Sequence, residues 1–154
     1  MAGELNVDLV LQGYHKFPTP GEEVLVDGCE MVLGSASAIC AMGLARLGNP
    51  VSFLGKVGDD AWGRYCLDAL RGRGIDVSRV RSEPALKTGI TVAITSPRER
   101  ALVSFLGSIN ALTPEDVPSP ASPASSTSTS LRSTCRTGWA PAPPRSSSAR
   151  GRRG

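Results

Sequence analysis

The sequence lacks the groupings on which several common chemistries depend. Of its 154 residues only His15 is a histidine, so Ser-His-Asp or Cys-His catalysis would need a partnership that its Pro-rich loop does not suggest. The four cysteines, Cys29, Cys40, Cys66 and Cys135, form no C-x-x-C and have no histidine beside them. That disfavours a disulfide framework and a zinc site, and reads as free thiols in a reducing cytoplasm. No apolar run approaches the length of a membrane span, and no basic segment leads into an apolar core at the N-terminus. Neither a span nor a secretion signal is expected. A phosphate-binding Walker loop is missing too: Gly55-Lys56 has Pro50 where that motif needs its first glycine and Val57 where it needs Ser or Thr.

Acid is absent from the last quarter of the chain. Residues 1–118 hold 14 acidic against 11 basic residues, a net charge of −3, whereas 119–154 hold six arginines and no acid. The overall charge of +3 is therefore a property of the tail, and a basic nucleic-acid-binding domain is not expected. The tail contains 10 Ser, 5 Pro, 5 Ala and 4 Thr, and Leu131 is its one aliphatic side chain larger than alanine. No period of 3.6 or 2.0 survives in it, so it is expected to be disordered. It reads either as a functional basic tail for an acidic partner or as a GC-rich coding sequence translated out of frame. The abrupt stop of a helix start at Thr113–Asp116, with Pro118 two residues later, favours the second.

What is present is an α/β pattern over residues 1–118. In GELNVDLVLQG (3–13), Leu5, Val7, Leu9 and Leu11 alternate with Asn6, Asp8 and Val10, which predicts a strand. It begins abruptly, with only Met1 and Ala2 before Gly3. Asn6 and Asp8 fall on one side of it. Together they suit the adjacent hydroxyls of a polyol, or they are polar strand-end residues facing solvent. HKFPTPGEE (15–23) is a loop, and Asp27-Gly28 between Val24–Val26 and Cys29–Leu33 signals a hairpin. Gly34, Ser35 and Ser37 precede a helix over 38–47 whose only charge is Arg46, so burial on most sides is expected. Ser35 or Ser37 is its N-cap. Such a helix start is either a plain cap or a place where a ligand reaches the free N–H groups.

Gly48-Asn49-Pro50 ends that helix, and 51–54 is a short apolar strand followed by a glycine-containing loop. Asp59 or Asp60 caps a helix over 61–71, with Trp62, Tyr65, Cys66, Ala69 and Leu70 on one face and an Asp60–Arg64 pair on the other. No third ligand accompanies Asp59-Asp60, so no metal site is expected. Two strands follow at 89–95 and 101–106.

Read as an ordered set, GELNVDLV, the small-residue turn and helix, FLGKVGDDAWG, GIDVSRV, TGITVAI and FLGSINALTPEDV resemble the ribokinase-like (PfkB-type) carbohydrate kinases. The resemblance covers residues 3–117, well under half of a full-length member. It implies an incomplete Rossmann-like, three-layer α/β domain with a small β-sheet lid, in the strands 24–33, 89–95 and 101–106. The chemistry it implies is Mg-ATP-dependent phosphorylation of a sugar or nucleoside hydroxyl. On this resemblance Asn6 and Asp8 hold sugar hydroxyls, Gly34 and Ser35 form the turn beneath the sugar, and lid strands can mediate a homodimer. Two departures stand out. Ser35 replaces the turn's second glycine, and the family's asparagine on the following helix falls at Ile39, which cannot hydrogen-bond a hydroxyl. Either the substrate differs or that contact is absent. The family's second signature, with the catalytic aspartate and nucleotide site, has no match here. No catalytic, metal or cofactor-binding residue is therefore assigned, and the chain is expected to be a cytoplasmic, inactive sugar-binding half-site that binds no Mg-ATP productively. The alternative is a non-catalytic sugar-binding or lid-mediated interaction fragment.

Overall fold

The first dozen residues serve two sheets in turn. Met1–Gly3 lie alongside residues 52–54: the terminal amino group donates to Ser52 O at 2.8 Å, Leu54 N–H to Met1 O at 2.8 Å and Gly3 N–H to Leu54 O at 3.0 Å. The chain then continues as β1 (Asn6–Gln12) into a different sheet. The abrupt start of the strand is thus the end of its passage through the parallel sheet. The computed structural model describes residues 1–117. The expectations for the tail, its disorder and its reading frame, lie outside the described residues.

After β1 come β2 (Gly28–Leu33), α1 (Ala36–Arg46), β3 (Ser52–Gly58), α2 (Ala61–Arg71), β4 (Asp76–Glu83), β5 (Gly89–Thr95) and β6 (Arg100–Phe105). Two short 3₁₀ turns follow at Gly107–Asn110 and Pro114–Asp116. β3 and β4 pair in parallel. The second sheet has the order β2-β1-β5-β6, with β1 antiparallel to β2 and parallel to β5. This is the expected mixed α/β architecture. The small sheet is larger than expected, because β1 joins the strands assigned to the lid.

α2 closes the core over one face of β3–β4. Phe53, Val57, Cys66 and Leu70 are fully buried with Leu5, Val7, Ala38 and Ala41. Burial pushes the Cys66 thiol up to about 12, which leaves it an inert core side chain, whereas Cys29 is exposed. Among the described residues no helix is long and apolar enough to cross a membrane.

Three local expectations are corrected. Val24–Val26 form no strand, and Asp27-Gly28 makes no hairpin. β2 pairs instead with β1, where Asp27 N–H already donates to Gln12 O at 2.8 Å. The long-range edge of β1 offers a full ladder that Val24–Val26, with Leu25 79 % exposed, cannot match. Residues 55–58 are strand rather than loop, since a side chain at Gly55 would come 2.8 Å from Gly3 O. Glycine there allows the close approach of the first strand to β3. Finally, α1 is not buried on most sides: Ile39 is 58 % and Leu47 80 % exposed, and only Ser37, Ala38 and Ala41 are buried.

Candidate functional site

Asn6, Asp8, Gly34 and Ser35 meet where β1 leaves the core and β2 runs into α1. Period-2 alternation puts Asn6 and Asp8 on the same face of β1, and Asn6 Nδ2 donates to Asp8 Oδ1 at 2.7 Å. Asn6 is buried and Asp8 half-buried, so the solvent-facing reading of the pair does not describe Asn6. Directly against them lies Gly34, whose N–H donates to Asn6 O at 2.9 Å. A β-carbon at Gly34 would stand 2.5 Å from both Asn6 Nδ2 and Asp8 Oδ1. The absence of that carbon is what lets the amide and carboxylate lie flat over the turn.

Ser35 then opens α1 with φ 78° and ψ 129°, a conformation suited to glycine that costs another residue on the order of 1–3 kcal/mol. Its hydroxyl offsets this. Ser35 Oγ accepts from Ala38 N–H at 3.3 Å, which identifies it as the N-cap. It donates to Glu4 O at 2.7 Å, with the Glu4 carboxylate 3.2 Å away. Ser37 donates to the other Glu4 carboxylate oxygen at 3.1 Å. Glu4 is therefore a member of the cluster that the sequence reading missed. The same alternation that aligned Asn6 with Asp8 would have found it.

A second polar cluster lies across β3–β4. Lys56 Nζ reaches Asp116 Oδ2 at 2.9 Å and Glu83 Oε1 at 3.5 Å, and Arg81 Nη1 reaches Asp116 Oδ1 at 3.2 Å. Thr113 adds its N–H at 2.8 Å and its hydroxyl at 3.0 Å. A cleft of about 370 Å³ borders this cluster and includes Leu54, Arg79 and Leu112, but none of Asn6, Asp8, Gly34 or Ser35. With Lys56 and Arg81 both bound to Asp116, its size alone does not make it a phosphate site. No three His, Cys, Asp or Glu side chains among the described residues are placed to hold a metal.

The hydrogen bond from Lys56, helped by those from Thr113, holds the Asp116 carboxyl at about 2, below its ordinary 3.8, and Asp116 in turn raises Lys56. A carboxyl depressed in the folded state contributes stability above its ordinary pKa and loses it as pH falls through the folded one. The melting temperature is therefore expected to fall between pH 4 and 2. In Asp116→Asn it starts lower at neutral pH and falls less across that window. Circular dichroism melts at stepped pH check this.

Comparison with known proteins supplies the context. The profile of the pfkB family carbohydrate kinases matches residues 1–135. The 5-dehydro-2-deoxygluconokinase of Clostridium tetani is 39 % identical over 75 residues, which cover 47 % of this chain and 22 % of that protein. A fructokinase of Klebsiella pneumoniae is 34 % identical over 102 residues, covering 62 % of this chain and 33 % of its own length. Among solved structures, Arabidopsis thaliana ribokinase complexed with ribose and ATP superposes with a TM-score of 0.64 at 26 % identity, over 70 % of this chain and 35 % of that one. The chain thus matches about a third or less of the length of these curated relatives.

Proposed function

The chain belongs to the pfkB family of carbohydrate kinases, and from that premise we propose that residues 1–118 are the sugar-binding and lid portion of an ATP-dependent sugar kinase. The observation that carries this reading is the Asn6–Asp8 pair laid over Gly34 at the start of α1. An amide and a carboxylate in contact offer both donor and acceptors to neighbouring hydroxyls, while Glu4, Ser35 and Ser37 brace the turn from behind. Asn6, Asp8, Gly34 and Ser35 are proposed as the substrate-binding residues. Ile39, exposed one helical turn after Ser35, supplies an apolar surface where the family has an amide. The relatives above are named for a gluconate and for fructose, and the solved relative holds ribose, so a small sugar is the substrate class proposed.

The same reading assigns no catalytic residue to this chain. On the resemblance, the aspartate that activates the sugar hydroxyl belongs to a part of the fold not matched by residues 1–118, and 119–154 contain no acid. Absence of a general base alone costs about 10²- to 10⁴-fold in rate, and absence of the phosphate-positioning groups costs more. The 154-residue chain is expected to gain several degrees in melting temperature with a saturating sugar and to form no sugar-dependent ADP in a coupled assay. Robust ADP formation would overturn the inactive reading, and no thermal response to any hexose, pentose or nucleoside would overturn the sugar-binding one.

One observation favours an added role for the small sheet. Its second face carries Leu9, Leu11, Met31, Ile90, Val92, Ile94, Val103 and Phe105 in register, without a charge. Val103 and Phe105 are 63 % and 56 % exposed. Such a face fits the lid-mediated homodimer that the resemblance implies, and sedimentation of the same sample reads its size.

A further inference from the structure

Sheets of parallel strands are covered on both faces, usually by helices. The β3–β4 pair has α2 on one face. Alternation along β3 sends Phe53 and Val57 to that side and Leu54 and Lys56 to the opposite one. Register then sets Arg79 beside Leu54 and Arg81 beside Lys56, so the second face carries three cations around one leucine. The cleft of about 370 Å³ lies on it, and its other lining among the described residues is Leu112 and Asp116. Leu54 and Leu112 are half-buried and form its apolar part.

The cations divide into an inner and an outer group. Lys56, with its side chain 14 % exposed, is satisfied by Asp116 and Glu83. Arg81 has one partner, Asp116 at 3.2 Å, yet its side chain is 67 % exposed. Arg79 is exposed and forms no ion pair among the described residues. Two further charges at this end of the sheet are engaged locally. Asp76 accepts from Ser78 N–H at 2.9 Å, and the terminal ammonium donates to Ser52 O at 2.8 Å. Arg79 and Arg81, two residues apart on β4, stand about 7 Å from each other along the mouth of the cleft.

We propose that this face is a docking surface for an acidic amphipathic helix of another protein. Its apolar side would cover Leu54 and Leu112, as the second layer of a parallel sheet does. Carboxylates four residues apart on a helix are about 6 Å apart, a spacing that matches Arg79 and Arg81. Charge excludes the occupants nearest to hand. Residues 119–154 carry six arginines and no acid. In a second copy of the chain, α1 has no acid, and the one acid of α2, Asp68, is tied to Arg71 at 3.0 Å. The surface includes none of Asn6, Asp8, Gly34 or Ser35, so the proposal stands apart from the sugar-binding reading.

Titration calorimetry of the full chain with three synthetic 14-residue peptides tests it. One has leucines on one helical face flanked by glutamates four residues apart, the second has lysine for each glutamate, and the third scrambles the first. The glutamate peptide is expected to bind at least tenfold more tightly than either control, to weaken several-fold in 0.5 M salt, and to gain helicity at 222 nm on binding. Arg79→Glu should weaken it about tenfold and raise the affinity of the lysine peptide. Arg79 is exposed and unpaired, so this variant keeps the fold; Arg81→Glu, beside Asp116, is read only if its melt matches the parent. Equal binding of the three peptides, or an Arg79→Glu variant that binds the glutamate peptide as the parent does, would overturn the docking surface. Binding without a gain in helicity would overturn the helical occupant in favour of an extended segment along β4. Complete displacement by millimolar inorganic phosphate at constant ionic strength would overturn the protein partner in favour of a small anion.

Discussion

Gly34→Ala is expected to abolish the thermal response to sugar while leaving the chain folded. The substitution adds one carbon, and that carbon would lie 2.5 Å from Asn6 Nδ2 and 2.5 Å from Asp8 Oδ1. Both contacts are far inside van der Waals distance, so the pair must separate or the start of α1 must move. Neither adjustment is cheap for the site. Asn6 is buried whereas Asp8 is half-buried, and the Asn6 backbone carbonyl holds the Gly34 N–H, so the smaller movement is rotation of the Asp8 side chain away from Asn6. Gly34 does not itself have a positive φ, so alanine brings no backbone strain, and the fold should lose only a modest part of its stability. Two hydrogen bonds to sugar from a charged or buried group are together worth about 3 kcal/mol, a hundredfold in affinity. Asp8→Asn removes the charge but not the shape, and should weaken binding by less. Calorimetry with the sugar that the wild-type chain binds best is the measurement. Gly34→Ala binding at wild-type affinity would show that the ligand does not rest on this pair.

Much of this site is readable from the first forty residues, because its geometry is local. Alternation aligns Asn6 with Asp8, and a small-residue turn before an apolar helix announces the cap, which Ser35 supplies. What sequence pattern could not supply is pairing between distant strands. Whether Asp27-Gly28 folds Val24–Val26 back on β2 depends on a competitor 20 residues earlier in β1, and the longer ladder wins. The reading of 55–58 as a loop failed for a related reason. Glycines there signal a turn when read locally, yet Gly55 is small because Gly3 O packs against it. The expected Asp60–Arg64 pair is a third case. Arg64 lies 3.7 Å from Asp59, an exposed pair worth little, because Asp60 is turned inward toward a residue 28 positions away.

Asp60→Ala is expected to cost the largest part of the chain's stability of any single substitution outside the apolar core. Asp60 Oδ1 accepts from Gly63 N–H at 2.8 Å, capping α2, and from the Thr88 hydroxyl at 2.8 Å. Oδ2 accepts from Thr88 N–H at 2.9 Å. The Thr88 hydroxyl in turn accepts from Gly58 N–H at 3.0 Å, in a buried position. One carboxylate thus ties the end of β3, the start of α2 and the residue that opens β5. Burial pushes its carboxyl up, but the hydrogen bonds from Thr88 and Gly63 outweigh this and hold it below the usual range. Alanine removes the cap, worth about 1 kcal/mol, and leaves the Thr88 N–H without its acceptor, a further 1–3 kcal/mol or so. The total of about 3 kcal/mol is a large share of a typical domain's 5–15 kcal/mol. Asp60→Asn separates the two roles. It can keep the oxygen that caps α2, but its amide then faces the Thr88 N–H, donor against donor, so the loss should approach that of alanine rather than vanish. Denaturant melts of both variants measure the difference. If Asp60→Asn is as stable as the parent, the cap alone matters, and the link from α2 to the lid strand carries no energy. A loss close to that of alanine would instead locate the anchoring of β5 at this carboxylate.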